Sequence, residues 1–358
     1  MSKYYTRACN FYFGPISKEK VKKRLSIPIH GNNLISFDTV EVFSRKNVKK
    51  VNIKEIKKLN NKLRNKILID LRQISRKKYF KGLKFSNLPI LMGVLNLTPN
   101  SFSDGGKYLK KNLGELHAKK LIKDGCGILD IGGEATNPGS KEVNSNEEWK
   151  RIFPTLFKIK KYKKFVSLDT RKSTIMKKGI ENKINLINDV SGLEHDPDTL
   201  KVLSESNIPF VIHHTQGNPQ TMQNNPRYHN VLLDIYDFFE KKIKLIRSKG
   251  IKHNNIILDP GIGFGKNLKH NITLLRNISI FHSLGFPIML GTSRKRFIKN
   301  LSGINDSKER LGGTISSSLL AIMQGVQILR VHDVNAVSYT HLRAHETRED
   351  LVCRLLRE

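Results

Sequence analysis

Long apolar runs are missing from this 358-residue chain. No stretch approaches the roughly 18 apolar residues that a membrane-spanning helix needs, and the N-terminal MSKYYTRACNFYFG lacks the hydrophobic segment of a signal peptide. Cysteine is scarce: Cys9, Cys126 and Cys353 lie far apart without metal-ligand spacing. That argues against a disulfide framework and a zinc site, and it fits a cytoplasmic protein. There is a single Trp, and no stretch interleaves basic residues with aromatics as a nucleic-acid stacking platform would. Acidic residues are also few, 31 against 64 Lys and Arg, for a formal net charge of +33. Such a surplus raises nucleic acid or an anionic surface as a partner. Here lysine is spread along the chain with Asn and Ile, so we read a solvated basic surface that helps steer anionic small molecules, with neither a membrane nor a nucleic-acid partner.

What is present is a repeat. From Ile90 onward, short apolar β-branched runs alternate with amphipathic stretches, the pattern of βα units over a buried parallel sheet. Strands are expected at 90–97, 128–133, 165–169, 186–190, 209–214, 255–259, 287–292 and 328–332. Helices fit between them at Leu113–Lys123, Glu147–Lys160, Pro197–Ser206, Val231–Ser248, Leu268–Leu284 and Arg310–Gln324. Eight such units over residues 88–334 match a (β/α)8 TIM barrel in size, with a doubly wound open sheet as the alternative. Residues 1–87 read as a small N-terminal α/β extension, with a strand at Ile35–Phe43, a Lys-rich helical stretch near Ile56–Lys66 and a short apolar run at Ile67–Leu71. Residues 335–358 break from the preceding Lys, Asn and Ile usage and read as an atypical, non-native tail.

The unusual polar residues fall at the C-terminal ends of the expected strands, which in a barrel converge on one mouth. The first strand runs into Asn96 and a turn-rich loop that contains Phe102. The second ends at Gly132-Gly133-Glu134-Ala135-Thr136-Asn137-Pro138. The third delivers Asp169, the fourth Asn188 and Asp189, and the sixth Asp259 followed by Pro260 to Lys266 with Phe264 among them. The seventh delivers Ser293-Arg294-Lys295 and the eighth Arg330 and His332. Singly, each has an ordinary reading as a loop or helix cap; together they point to a site. The run Gly261-Ile262-Gly263-Phe264-Gly265-Lys266 matches neither the dinucleotide fingerprint nor the P-loop, and its glycines are expected to let the loop turn tightly beside a ligand. His213 and His214 look like a metal pair, but adjacent strand residues point to opposite faces.

With these residues in view, the chain resembles the dihydropteroate synthase family. GVLNLTPNSFSDGG, DIGGEATNPGS, SLDTRKS, INDVSG, HHTQGNPQTMQ, LDPGIGFGKN, GTSRKRF and LRVHDV occur in family order over about residues 88–334. The resemblance implies a barrel that joins a dihydropterin diphosphate to para-aminobenzoate with release of diphosphate, magnesium as the metal, and a homodimer. In that frame Asp259 and Asp169 suit the adjacent N–H donors of a pterin edge. Asn188, which both donates and accepts, suits a mixed edge, and Lys295 suits the pterin carbonyl. Thr136, Arg330 and His332 are candidates for diphosphate, and Asn96 for magnesium through its carbonyl. Phe102, Pro138, Phe264, Ser293 and Arg294 are candidates for para-aminobenzoate.

Two positions depart from the family pattern. Its second loop usually reads Ser-Thr-Arg, where this chain has Ala135-Thr136-Asn137, and after the lysine many members carry Ser where this chain has Arg296. The competing expectations are a pterin-dependent methyltransferase barrel working with a corrinoid partner, and a non-catalytic basic RNA-binding protein.

Overall fold

The computed structural model describes residues 3–338 except 84, 86–88, 99–111, 136–138 and 218–220. The extension is a four-stranded antiparallel sheet of β1 (Tyr5–Phe13), β2 (Ile27–Ile29), β3 (Asn32–Phe43) and β4 (Val48–Asn52), in which the long β3 pairs with the other three. Helix α1 (Gly14–Lys22) follows β1, and α2 (Asn61–Ser75) leads toward the barrel. The helical stretch expected near Ile56–Lys66 is divided: a 3-10 turn covers Ile53–Lys58, and α2 begins after Asn60, whose side chain accepts the Leu63 N–H at 3.0 Å. The apolar run at Ile67–Leu71 belongs to this helix. Its buried residues Ile67, Leu71 and Ile74 are spaced four and three apart, one helical face. β1 and β4 were not legible in the sequence because they carry Lys, Arg and Asn, which blunt the alternation, and β2 because Ile27-Pro28-Ile29 is only three residues long with a proline at its centre.

All eight barrel strands appear where the apolar runs predict them. They are β5 (Ile90–Asn96), β6 (Ile128–Gly132), β7 (Phe165–Asp169), β8 (Leu186–Asp189), β9 (Phe210–His213), β10 (Ile256–Asp259), β11 (Met289–Leu290) and β12 (Ile328–Val331). They form one parallel sheet in the order β10-β9-β8-β7-β6-β5-β12-β11. A parallel bridge between Leu258 and Ile288, with the Leu258 N–H on the Pro287 carbonyl at 3.0 Å, joins β10 to the segment entering β11 and excludes the open sheet. Around the sheet lie α3 (Leu113–Lys123), α4 (Ser145–Ile159), α5 (Ser173–Glu181), α6 (Thr199–Ser206), α7 (Val231–Ser248), α8 (Leu268–Arg276), α9 (Arg296–Ser302) and α10 (Leu311–Ile322). The helix expected over Leu268–Leu284 ends at Arg276 and continues as a 3-10 segment, Ile278–Leu284. After β12, residues 334–338 are helical, and the rest of the atypical tail lies outside the described residues.

The strands stack their inward side chains in layers. Met92, Ile128, Leu186, Val211, Ile257, Met289 and Ile328 form an apolar floor at the N-terminal ends, and Phe80 from the segment after α2 packs into it. Because strand side chains repeat every two residues, the layer above the floor is Val94, Asp130, Asn188, His213, Asp259, Gly291 and Arg330. The interior therefore changes from hydrocarbon to charge over one strand period.

The extension is fastened to the outside of this barrel. Tyr5 packs edge-on against Tyr236 of α7, with ring centroids 5.1 Å apart, and its hydroxyl donates to Asp237 at 2.9 Å. Lys3 and Arg45 also reach Asp237, at 2.5 and 2.6 Å. The Ser279 hydroxyl donates to the Ala8 carbonyl at 2.8 Å, which ties β1 to the 3-10 segment after α8.

Candidate active site

At the centre of the mouth is Arg330. Its Nε donates to Asp130 Oδ2 at 2.6 Å and its Nη2 to Asp169 Oδ2 at 2.7 Å, while the Asn188 amide donates to the same Asp130 oxygen at 3.1 Å. Burial opposes the guanidinium charge, but Asp130 and Asp169 outweigh it and hold Arg330 above its ordinary value. Burial pushes the Asp169 carboxyl up to about 8 despite Arg330, helped by the neighbouring Asp130, Glu148 and Asp189. While Asp169 keeps its proton, Asp130 and Arg330 balance each other, and a surplus of buried negative charge develops only once Asp169 ionises above about 8. The second oxygens of Asp130 and Asp169 and the Asn188 carbonyl are buried with no hydrogen-bond partner among the described residues. Three such oxygens from β6, β7 and β8 thus converge on one space, an arrangement suited to N–H donors from a ligand.

Beside them, Asp259 is buried and accepts the Gly261 N–H at 2.8 Å. Burial raises its pKa, and Lys295 counteracts this. Burial lowers Lys295 to about 7, with Asp259 opposing. The Lys295 ammonium donates to the Ile262 carbonyl and stands over the Phe264 ring, 4.4 Å from its centroid. That ring also meets His213 edge-on at 4.5 Å. Gly261 has φ +71°, and a Cβ there would stand 1.9 Å from the His214 carbonyl oxygen, so the tight turn does require glycine.

The expected opposition of the two adjacent histidines holds. His213 faces Phe264 and Asp259, whereas His214 packs on Phe238 and accepts from the buried Lys266 at 2.9 Å. On the far side of the mouth β12 ends at Val331, one residue before His332, whose Nδ1 lies 3.1 Å from the Ser293 hydroxyl. Burial, with Arg330 and Arg294 nearby, holds His332 down at about 3. Ser293 is thus engaged with His332. Arg294 grips Asp333 in a two-point ion pair at 2.9 and 2.5 Å.

Asn96 ends β5 opposite Gly132, and its amide oxygen would lie 3.5 Å from a Cβ at Gly132. Phe102, Thr136 and Pro138 lie outside the described residues. Among the described residues no group of three His, Cys, Asp or Glu side chains is placed to hold a metal ion.

Sequence reasoning missed two parts of this site. Asp130 sits inside a strand rather than at its end, and the one signal in the sequence was a carboxylate interrupting the apolar run Ile128-Leu129-Asp130-Ile131. The other is a buried ionic lattice. Arg171 meets Glu134 at 3.1 Å, and Lys172 meets Glu134 and Glu148 at 2.9 and 2.6 Å. This lattice locks the loop after β6 to the one after β7. No local spacing announces it, because its members come from three separate segments.

A protein-family model described as pterin binding enzyme matches residues 92–332. The dihydropteroate synthase of Escherichia coli strain K12 is 39% identical over 247 residues, covering 69% of this chain and 87% of that protein. The Bacillus subtilis enzyme of the same name is 38% identical over 260 residues, covering 72% and 88%. The chain belongs to the dihydropteroate synthase family. Solved structures agree. That of the Yersinia pestis dihydropteroate synthase, in complex with a sulfonamide drug, superposes with a TM-score of 0.71 at 36% identity, covering 75% of this chain and 98% of that one. The Xanthomonas albilineans dihydropteroate synthase, solved with 4-aminobenzoic acid, gives 0.69 at 32%, covering 75% and 95%. The synthase expectation is therefore favoured over the methyltransferase and RNA-binding ones, and the chain is a transferase.

Proposed function

We propose that this dihydropteroate synthase holds the dihydropterin ring over the acceptors of Asp130, Asp169 and Asn188, with Asp259 and Lys295 completing the ring edge. The observation that carries this assignment is the set of buried, unpartnered oxygens on the first three residues. An amino-pyrimidine edge supplies adjacent N–H donors that would satisfy them. Lys295 donates toward the pterin carbonyl and ring nitrogen.

In the reaction, the C–O bond at the pterin methylene breaks with its electron pair on the departing diphosphate. The para-aminobenzoate nitrogen then forms the new C–N bond and loses a proton. Stabilising negative charge on the leaving group is the main task of the protein. We assign it to Thr136, Arg330 and His332, with His332 donating as a neutral imidazole. No side chain acts as a nucleophile. Phe264, flanked by Lys295, forms one wall for the benzoate ring, and Phe102, Pro138, Ser293 and Arg294 make up the rest of that subsite.

Magnesium fits through Asn96. The nearest carboxylates are already drawn to Arg330, so a metal there would take the amide carbonyl together with phosphate oxygens and water, a ligand set that magnesium accepts. Bound, it would neutralise charge on the diphosphate. For a homodimer, the supporting surface is an apolar groove of about 410 Å³ between α8, α9 and α10, where Leu301 is 61% exposed.

Incubating the chain with dihydropterin diphosphate and para-aminobenzoate should release diphosphate only when both are present. Release without para-aminobenzoate, or none at all, would refute the assignment.

A further inference from the structure

Three lysines are buried among the described residues, Lys78, Lys172 and Lys266. A buried ammonium persists where something compensates its charge. Lys172 has Glu134 and Glu148. Lys266 has three neutral acceptors, the Phe264 carbonyl at 2.8 Å, His214 Nδ1 at 2.9 Å and the His214 carbonyl at 3.3 Å, and the nearby Asp259 charge partly opposes the burial that holds it well below its ordinary value. Lys78 is different. It is 5% exposed, donates to the Gln73 carbonyl, and has no carboxylate partner among the described residues. Burial, with Arg76 adding to it, pushes Lys78 down to about 7.

Lys78 lines a cavity of about 710 Å³ together with Arg76, Lys77, Tyr79, His253 and Asn254. His253 and Asn254 precede β10, and Gly285 and Pro287, which also line it, precede β11. The cavity therefore lies at the N-terminal ends of the strands, beneath the apolar floor and opposite the catalytic mouth. Among the described residues no acidic side chain lines it. The other titratable groups within electrostatic reach of Lys78 do not balance it. His30 and His282 meet edge-on at 4.3 Å, and burial keeps both neutral, with Lys78 contributing. Burial likewise lowers His253.

The Arg76 guanidinium is also unsettled. Its Nη2 stands 2.6 Å from His253 Nε2, and the same ring nitrogen is 3.0 Å from the Gly285 carbonyl. A nitrogen that donates to a carbonyl cannot also accept from a guanidinium.

We propose that this cavity binds an oxyanion of the phosphate type, free or carried by a small metabolite, held by Lys78, Arg76 and Lys77. This site is separate from the pterin and diphosphate site and does not depend on the roles assigned there. A bound anion supplies the missing counter-charge for Lys78 and draws Arg76 away from the His253 nitrogen.

Calorimetric titration of the full chain with inorganic phosphate at pH 8 tests the idea, with sulfate as a non-titrating isostere and glycerol phosphate as a phosphomonoester. Sulfate binding, measured in buffers of different ionisation enthalpy, should take up about one proton, because the anion restores the Lys78 ammonium. Lys78→Met keeps the stem and removes the buried charge, a change that packed interiors tolerate. It should abolish that uptake and the binding tied to it. Arg76→Ala, at an exposed position, should weaken binding about tenfold while leaving the fold intact. Glycerol phosphate binding as well as phosphate would identify a phosphorylated metabolite as the ligand, and phosphate alone the free ion. Unchanged affinity and proton uptake in Lys78→Met, or no anion binding to the unaltered chain, overturns the proposal.

Discussion

Arg330 Nε and Asp130 Oδ2 meet at 2.6 Å across the barrel interior, 200 positions apart in the chain. The pair joins the last barrel strand to the second, and with Asp169 it sets the electrostatics of the mouth. Removing one partner of such a pair strands the other. Arg330→Met leaves the Asp130 carboxylate buried without its cation and should cost about 3–5 kcal/mol of stability, measured by denaturant unfolding at neutral pH. A loss near zero would mean that water already solvates that carboxylate.

Asp169→Asn should act in the opposite direction. In the folded chain Asp169 holds its proton up to about 8, whereas unfolded it releases it near about 4. Between those values the folded state binds more protons, so the contribution of Asp169 to stability is lost as pH rises. The substitution removes that loss and leaves Arg330 in a balanced pair with Asp130. The variant should melt higher than the parent, by a margin that widens from pH 5 to pH 8, while pterin affinity falls. A margin independent of pH contradicts the account.

Lys295 titrates at about 7, so above that pH the free chain must gain a proton to offer an ammonium to the pterin. Pterin affinity should decline as pH is raised from 7 to 9, and Lys295→Met should bind about 100-fold more weakly, the loss of a charge-assisted hydrogen bond in a dry site. Fluorescence titration against pH reads both. A pH slope that survives in Lys295→Met would assign the titration to another group.

Gly261→Ala tests the turn that presents Phe264. The added Cβ would lie 1.9 Å from the His214 carbonyl oxygen in a left-handed conformation. Backbone cannot yield that distance cheaply, and a destabilisation of about 2–4 kcal/mol is expected. Thermal unfolding measures it, and para-aminobenzoate binding should weaken together with stability.

Asp237 is the fastening point of the extension. Asp237→Ala removes the acceptor of Tyr5 and one of the two carboxylates held by Lys3 and by Arg45, whose others are Glu240 and Asp234, and should cost about 1–3 kcal/mol. Amide exchange should quicken in β1 before it does in the barrel strands. Uniform quickening would show that extension and barrel unfold as one unit.

The legibility of this chain followed the physics of burial. The eight barrel strands were readable because a parallel sheet covered on both faces leaves continuous apolar runs. The extension sheet has one wet face, and of its strands only β3 was found, at Ile35–Phe43. Site residues at strand ends, such as Asp259 and Lys295, stood out because a polar residue after an apolar run is conspicuous. Asp130 did not, since it interrupts a strand and is explained only by a partner 200 positions away. Glu134, Glu148, Arg171 and Lys172 required the tertiary contacts themselves.

Phe80 gives the extension a mechanical meaning. The chain leaves the clasped outer wall, passes under the barrel, and drives an aromatic ring into its floor before starting the first barrel strand. Peeling the extension from α7 therefore pulls on a stopper. A shortening that discards the sheet but keeps the residues around Phe80 would retain that ring in the floor, whereas one that begins at Ile90 would leave the seven strand side chains of the floor without it.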